Sequence, residues 1–211
     1  MDEKVDILLP PLFEPSGQIK TRRQANHDGD WIGSFNLWIV SPKPEPCIIY
    51  QQRSPQSTWG PNLLDVAVGG HLQAGEGLDG GLREAREEIG RLYEPKQLKF
   101  LGKTLYVGFN LDGSGHNEAI DVYLTEDSST LADYVLQPEE LYAIFACPIS
   151  QLLSVHRNAN YSFVAHGLLA NGEPTEYSVN QQSFPQNYSK YHFKMALLAD
   201  RYFKGEKDLL Y

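Results

Sequence analysis

A chain of 211 residues with 41% hydrophobic and 21% charged side chains carries enough apolar surface for one domain with a sizeable core, which excludes a disordered protein. A formal net charge of −9 excludes a protein that grips nucleic acid by neutralising phosphates, because that requires clustered Lys and Arg. Only Cys47 and Cys147 are present, each inside an apolar run, so no disulfide framework is indicated; no stretch approaches the roughly 18 apolar residues of a membrane span, and a cytoplasmic address without a membrane partner is the default expectation.

Residues 5–9 form a short apolar run ended by Pro10 and Pro11, and Pro15-Ser16-Gly17 marks a turn before residues 18–23, which together predict an edge hairpin. Asp28-Gly29-Asp30 is a further turn. Residues 34–40 (SFNLWIV) alternate apolar and polar side chains and are rich in aromatic and β-branched types, as a half-buried strand requires. A proline-rich loop, 42–46, leads to a second strand at Cys47–Arg53. Residues 54–62 hold two prolines, Gly60 and Trp59, and residues 63–69 (LLDVAVG) predict a short buried strand that delivers the chain to Gly69 and Gly70. Two strands at 98–109 and 118–124 are joined by a loop containing Asp112-Gly113, followed by a polar connector at 131–140, a strand at Leu141–Pro148 and a short amphipathic turn or helix at 149–155. The remainder predicts a hairpin, 161–169 with 176–179, around Asn171-Gly172, and a helix over 189–204 with Tyr191, Met195, Leu198 and Tyr202 along one stripe. The expected organisation is one domain over 1–211: an N-terminal hairpin in 1–30, a core in 31–155 and a C-terminal extension in 156–211.

Residues 69–92 (GGHLQAGEGLDGGLREAREEIGRL) concentrate the chemistry. Asp79 is placed to cap a helix on which Leu82, Ala85, Ile89 and Leu92 recur at helical spacing, with Gly90 at its end. Gly80 and Gly81 either belong to its first turn or leave room for something to approach. Positions three and four apart share a helix face, so Glu84 lies beside Glu87 and Glu88, and three carboxylates there repel one another. A divalent cation relieves that repulsion. Mg²⁺ takes carboxylate oxygens, one or two from protein and the rest from water and substrate phosphate.

Gly70, five residues, Glu76, and then Arg83-Glu84-Ala85-Arg86-Glu87-Glu88-Ile89-Gly90 resemble the Nudix box, whose usual form is G, five residues, E, seven residues, then R-E-aliphatic-x-E-E-x-G-aliphatic. Two departures are visible: only six residues separate Glu76 from Arg83, and Arg91 takes the place of the final aliphatic, with Leu92 one position later. The flanking QQRSPQSTWGPNLLDVAVGGH, preceded by RRQANHDGDW, is similar to the branch that includes isopentenyl diphosphate isomerase, and FPQNYSKYHF fits its longer members. The resemblance implies an α/β fold, an α/β/α sandwich around a mixed β-sheet. It further implies that Glu84 and Glu88 hold Mg²⁺ or Mn²⁺, that Glu87 is a ligand or a water-orienting base, and that Glu76, Arg83 and Gly90 are structural members of the box. Gly69 and Gly70 would let backbone approach metal or phosphate. Glu139 and Glu140 lie in the region from which the family draws a general base, Glu140 being the one carried forward, and Arg53 is a candidate for the substrate phosphate against an ordinary salt bridge. The implied activity is metal-dependent hydrolysis of a diphosphate linkage in a nucleoside diphosphate derivative or related organic pyrophosphate. Isomerase-like chemistry and a non-catalytic nucleotide-sensing module are the alternatives, although the isomerase cysteine just before the box is absent from LLDVAVGGH. The expected partner is a small-molecule diphosphate, with a homodimer left open. Glu118, read against an edge-strand charge, is a lesser candidate. His27 and His71 are read as structural, and Trp31, Trp38 and Trp59 as core packing against a base-stacking platform.

Overall fold

The computed structural model describes residues 2–109, 115–186 and 189–211. Among them the chain runs β1 (Lys4–Leu9), β2 (Glu14–Thr21), α1 (Arg22–Asp28), β3 (Trp31–Ser41), β4 (Cys47–Arg53), β5 (Leu64–Val66), β6 (Val68–His71), α2 (Leu78–Ile89), β7 (Lys99–Phe109), β8 (Gly115–Glu126), β9 (Leu141–Pro148), α3 (Ile149–Arg157), β10 (Phe163–Leu169), β11 (Pro174–Val179) and α4 (Ser189–Phe203). One path through the sheet is β11-β10-β9-β4-β3-β1-β2, with β5, β6, β7 and β8 attached beside it.

β3 is the axis. Its first half pairs antiparallel with β6, Ser34 opposite His71 and Leu37 opposite Val68, whereas its end pairs with β4, Ile39 opposite Ile49. Along its other edge it runs parallel to β8 from Trp31 to Val40, which makes an otherwise antiparallel sheet mixed. β4 parts from β3 after Ile49 and takes β5 instead, Tyr50 opposite Val66. Ala67 alone separates β5 from β6, so the predicted single strand at 63–69 is two strands. In one residue the chain steps from the edge of β4 to that of β3, and Gly69 and Gly70 therefore lie where the central strands have diverged.

Alternation along β3 assigns its two faces. Trp38 and Val40 pack with Val122, Leu124, Leu152, Met195 and Ala199, under α3 and α4. Phe35, Leu37 and Ile39 pack with Ala85 and Ile89 of α2. Helices thus cover both faces of a mixed sheet, the α/β/α arrangement expected. Each fully buried aliphatic side chain, such as Ile89 at 0% exposure, contributes roughly 1.5–3 kcal/mol. The C-terminal segment is no appendage: β10 and β11 extend the sheet, and α4 buries Tyr191, Met195 and Leu198 in the core.

Several local expectations are corrected. Residues 22–28 fold as α1, with Thr21 Oγ1 accepting from the Gln24 N–H and Gly29 closing the helix at φ 73°; the turn read at Asp28-Gly29-Asp30 is this helix's end. The 131–140 connector is polar in composition but buries Tyr134 and Leu136 beneath the end of α2. Leu92 lies beyond α2 and is 76% exposed, so it does not continue the apolar stripe. The Asp112-Gly113 turn lies outside the described residues. Both cysteines are buried free thiols, and burial pushes Cys47 up to about 11.

Candidate active site

Four elements meet where β3 and β4 diverge: the C-terminal half of α2, the β6 glycines, the end of β4, and the turn before β9. α2 starts at Leu78 after Gly77, which provides no side-chain cap; Asp79 sits inside the first turn rather than capping it, where its charge complements the helix dipole. The two glycines that read as poor helix formers have steric reasons. A β-carbon at Gly81 would lie 2.3 Å from the Phe35 ring, and one at Gly80 would lie 2.5 Å from Glu76 Oε2. The space at Gly81 admits a core ring rather than a ligand. Gly90 ends the helix at φ 66°, and a β-carbon there would meet Val135 at 2.7 Å.

Arg83 is the hub of the box. Its Nε donates to Glu76 Oε1 at 3.1 Å and its Nη2 to Glu76 Oε2 at 3.2 Å, a two-point contact that the planar guanidinium suits. Nη2 also reaches Glu84 Oε1 at 2.9 Å, and Nη1 donates to Glu87 Oε2 at 2.8 Å. Glu76 closes the loop by accepting the Gln73 N–H at 2.9 Å. The missing residue between Glu76 and Arg83 is therefore absorbed without loss of their pairing. Burial opposes the charge on Glu76, but Arg83 and the Gln73 N–H hold its carboxyl below the usual range. Arg91, the other departure, donates from Nε and Nη2 to Asp127 at 3.1 and 2.9 Å and to Ser129 at 2.6 Å. A polar tie to the end of β8 replaces an apolar one.

For Glu84, despite its contact with Arg83, and for Glu88, burial outweighs the relief. Burial pushes Glu84 up, with Glu87 and Glu140 adding to the shift against Arg83. Glu88 is only 4% exposed, and burial, then Glu140 and Glu84, push it well above the ordinary carboxylate range, although Gly69 provides a backbone hydrogen bond. Its Oε2 has no hydrogen-bond partner. Glu140 is exposed, close enough for both acids to feel its charge, and its carbonyl accepts the Ser54 N–H at 2.9 Å. Glu139 is also exposed. A cluster of carboxylates with a buried oxygen left unpaired has the donor chemistry of a hard divalent cation.

Gly69 and Gly70 are explained by protein atoms. A β-carbon at Gly70 would stand 2.9 Å from the Glu84 carboxyl carbon, and one at Gly69 would be 3.0 Å from Asn36 Oδ1. Arg53, at the end of β4, makes the ordinary ion pair that competed with its phosphate reading, Nη1 lying 3.5 Å from Asp65 Oδ2. Its charge still reaches Glu88.

A second polar cluster escaped the sequence. Glu118 lies on β8 between β3 and β7, so it is not an edge-strand charge. It accepts from Ser34 Oγ at 2.7 Å and contacts His71 Nε2 at 3.2 Å and His116 Nε2. Burial opposes its ionisation, yet His116 and His71 draw its pKa far down. His71 Nδ1 is 2.8 Å from Arg22 Nη1. One ligand atom from each of His71, His116 and Glu118 lies within 4.8 Å of the others, a spacing that a metal ion can bridge. The signal for His116 was its spacing from Glu118, since residues two apart on a strand share a face. His27 stays outside, 79% exposed and paired with Asp28. Trp38 is buried, its Nε1 donating to Tyr191 Oη at 2.8 Å, and Trp31 packs edge-on to Phe13; Trp59 is 36% exposed.

A family model described as the NUDIX domain matches residues 33–167. The chain is 28% identical over 192 residues to an uncharacterised Nudix hydrolase of Clostridium acetobutylicum, covering 87% of this chain and 91% of that one. It is similar to a crystal structure from Deinococcus radiodurans at 25% identity and a TM-score of 0.52, over 72% of this chain and 87% of that one. The MutT protein of Methanosarcina mazei, at 18% identity and a TM-score of 0.53 over 82% and 96% of the two chains, shares the fold.

Proposed function

The chain belongs to the Nudix family and is a pyrophosphohydrolase, and on that premise we propose that it hydrolyses a diphosphate linkage in a nucleoside diphosphate derivative or related organic pyrophosphate, using Mg²⁺ or Mn²⁺. The observation that carries the reading is Glu88: a carboxylate 4% exposed, with one oxygen unpaired, packed beside Glu84 and within reach of the charge of Glu140. Such a group is unfavourable in the protein alone and favourable once a cation shares it. The ion supplies charge neutralisation for the diphosphate and a more acidic water.

The protein's own residues divide the remaining work. Glu84 and Glu88 hold the cation. Glu87, its side chain 51% exposed and tied to Arg83, is a further ligand or orients the attacking water. Glu140 accepts that water's proton, being the exposed carboxylate beside the pair. Arg83 and Glu76 keep the loop and the helix in register, and Gly90 ends the helix where the connector crosses it. Gly69 and Gly70 let the Asn36 and Glu84 side chains close on the β6 backbone, and Arg53 binds a substrate phosphate while keeping its bond to Asp65. His71, His116 and Glu118, with two nitrogens and one oxygen, are a second candidate set of ligands, suited to Mn²⁺ or another transition ion.

Residues 1–211 are read as one domain. Two free buried thiols fit a cytoplasmic address, and among the described residues no helix is long and apolar enough to cross a membrane. The test is phosphate release across nucleotide sugars, dinucleotides, oxidised nucleotides and prenyl or thiamine diphosphates with Mg²⁺ or Mn²⁺. Undiminished turnover by Glu88→Gln would overturn the assignment of Glu88, and tight nucleotide binding without any turnover would favour a sensing module.

A further inference from the structure

The family match begins at residue 33, yet the segment before it is bonded to the box. β1 is seated by a small core of its own, Val5 and Ile7 being buried with Ala25 of α1 and Ile32 of β3. Successive side chains on a strand face opposite ways, so Asp6, between them, is turned away from that core. Its Oδ2 accepts the Gly75 N–H at 2.7 Å, across 69 residues of sequence, and the Lys4 carbonyl accepts the Ala74 N–H at 2.8 Å. At the start of the same loop the Leu72 N–H donates to the Gly33 carbonyl at 3.0 Å, and Arg22 Nη1 stands between His71 Nδ1 at 2.8 Å and Glu3 Oε2 at 3.5 Å.

The residue after this tie is Glu76. Its two oxygens take Arg83 Nε and Nη2, and Arg83 goes on to Glu84 and Glu87. The loop has little means of fixing itself. Gly77 gives α2 no side-chain cap, Gly75 turns at φ 83°, and a β-carbon at either glycine would meet nothing within 4 Å. A loop of small residues entering an uncapped helix is held by bonds from outside it, and a carboxylate is a stronger acceptor for an N–H than a neutral group. One connected series of hydrogen bonds and ion pairs thus runs from Asp6 through Gly75, Glu76 and Arg83 to the acids of α2.

We propose that Asp6 is a positioning residue for the hydrolysis: by holding the Gly75 N–H it fixes Glu76, and through Glu76 and Arg83 it sets the place of the carboxylates of Glu84 and Glu87. This rests on the hydrolase reading above and adds to it a part of the chain that lies outside the family match. Asp6 touches neither cation nor substrate. The strand that carries it is seated without help from α2, so the loop is braced against a support independent of the helix it positions.

The test compares wild type, Asp6→Ala and Asp6→Asn by NMR amide exchange in chelator, by calorimetric titration with Mg²⁺, and by turnover of a nucleoside diphosphate sugar at saturating Mg²⁺. Asp6→Ala should speed exchange at Gly75, Glu76 and Gly80 about 3- to 10-fold while Leu37 in β3 is unchanged, and should weaken Mg²⁺ binding about 3- to 10-fold. It should lower kcat about 5- to 50-fold with KM within about 2-fold. Asp6→Asn, which keeps an acceptor oxygen, should recover most of each loss. In a Glu76→Ala background the series is already broken, so adding Asp6→Ala should change Mg²⁺ binding by less than about 2-fold. Faster exchange confined to Gly75, or losses that add in full to those of Glu76→Ala, would mean a local bond that positions nothing, and either overturns the proposal. A wild type that turns over no diphosphate would count against the hydrolase reading, whereas the brace stands or falls on the amides of Glu76 and Gly80, which exchange with or without turnover.

Discussion

Replacing Glu88 by Gln removes one negative charge from a position that is 4% exposed and keeps the shape of the side chain. In wild type without metal, the carboxylate stands beside Glu84 and Glu140, its Oε2 lacks a partner, and the Gly69 backbone bond is its main relief. An unsatisfied buried polar group costs about 1–3 kcal/mol, and more when charged. The amide keeps an acceptor for Gly69 and gains a donor for the neighbouring acids. Glu88→Gln should therefore be more stable than wild type in chelator by about 1–3 kcal/mol, a Tm increase of roughly 2–12 °C for a chain of this size. With Mg²⁺ at about a hundred times Kd the wild type gains about 2.7 kcal/mol by mass action, and the variant should gain far less. Its turnover should fall roughly 100- to 1000-fold. Differential scanning calorimetry in chelator and in Mg²⁺, beside phosphate release, reads all three. A variant less stable than wild type in chelator, or one keeping the full Mg²⁺ shift, would refute the account of Glu88 as a cation ligand held at a cost to the empty protein.

Gly81→Ala places a β-carbon 2.3 Å from the Phe35 ring, so overpacking of about 1–3 kcal/mol should exceed the roughly 1 kcal/mol of gained helix propensity; urea unfolding should show a net loss, and adding Phe35→Leu should recover most of it. Arg83→Ala strips a guanidinium from Glu76, Glu84 and Glu87, and because its side chain is 30% exposed the loss in chelator should be only about 1 kcal/mol, shrinking when Mg²⁺ is added. His156 and His192 have pKa values lowered by burial from 6.5 to about 4 and about 3. The unfolded chain thus takes up protons below pH 6.5 that the native state refuses, so their stabilisation is present above that pH and falls by about 1.4 kcal/mol per unit for each His as pH drops towards 4. Denaturation of wild type and His192→Phe between pH 6.5 and 4 should show the variant losing less stability by that amount per unit, and parallel pH profiles would count against it.

Much of the frame follows from local periodicity. The aliphatic spacing of Ala85 and Ile89 names the buried face of α2 without any partner being known, because the helix turn imposes that repeat on the chain itself, whereas β3, read as half-buried, is buried on both faces from Ser34 to Ser41. The box acids were legible for the same reason, since Glu84, Glu87 and Glu88 share a helix and their neighbourhood is set by its pitch. The short helix α1 was missed because its ends were read into an edge hairpin at 18–23 and a turn at Asp28-Gly29-Asp30, and its cap, Thr21, is bonded only once the helix exists. The buried part of the connector was missed because Tyr134 and Leu136 follow no period and are placed by the end of α2 above them.

What the sequence determined by itself is most of the strands and helices, α1 and the break between β5 and β6 apart, and the acid-bearing face of α2. Only the tertiary structure decided that β3 and β4 diverge, that Gly69 and Gly70 yield their space to Asn36 and Glu84, and that Ser34 meets Glu118 across 84 residues. It also decided that Arg53 stacks on Trp59 and pairs with Asp65. Helical and strand repeats are written over a few residues, whereas burial of a charge, and the partner that relieves it, depend on segments brought together by packing of the whole sheet.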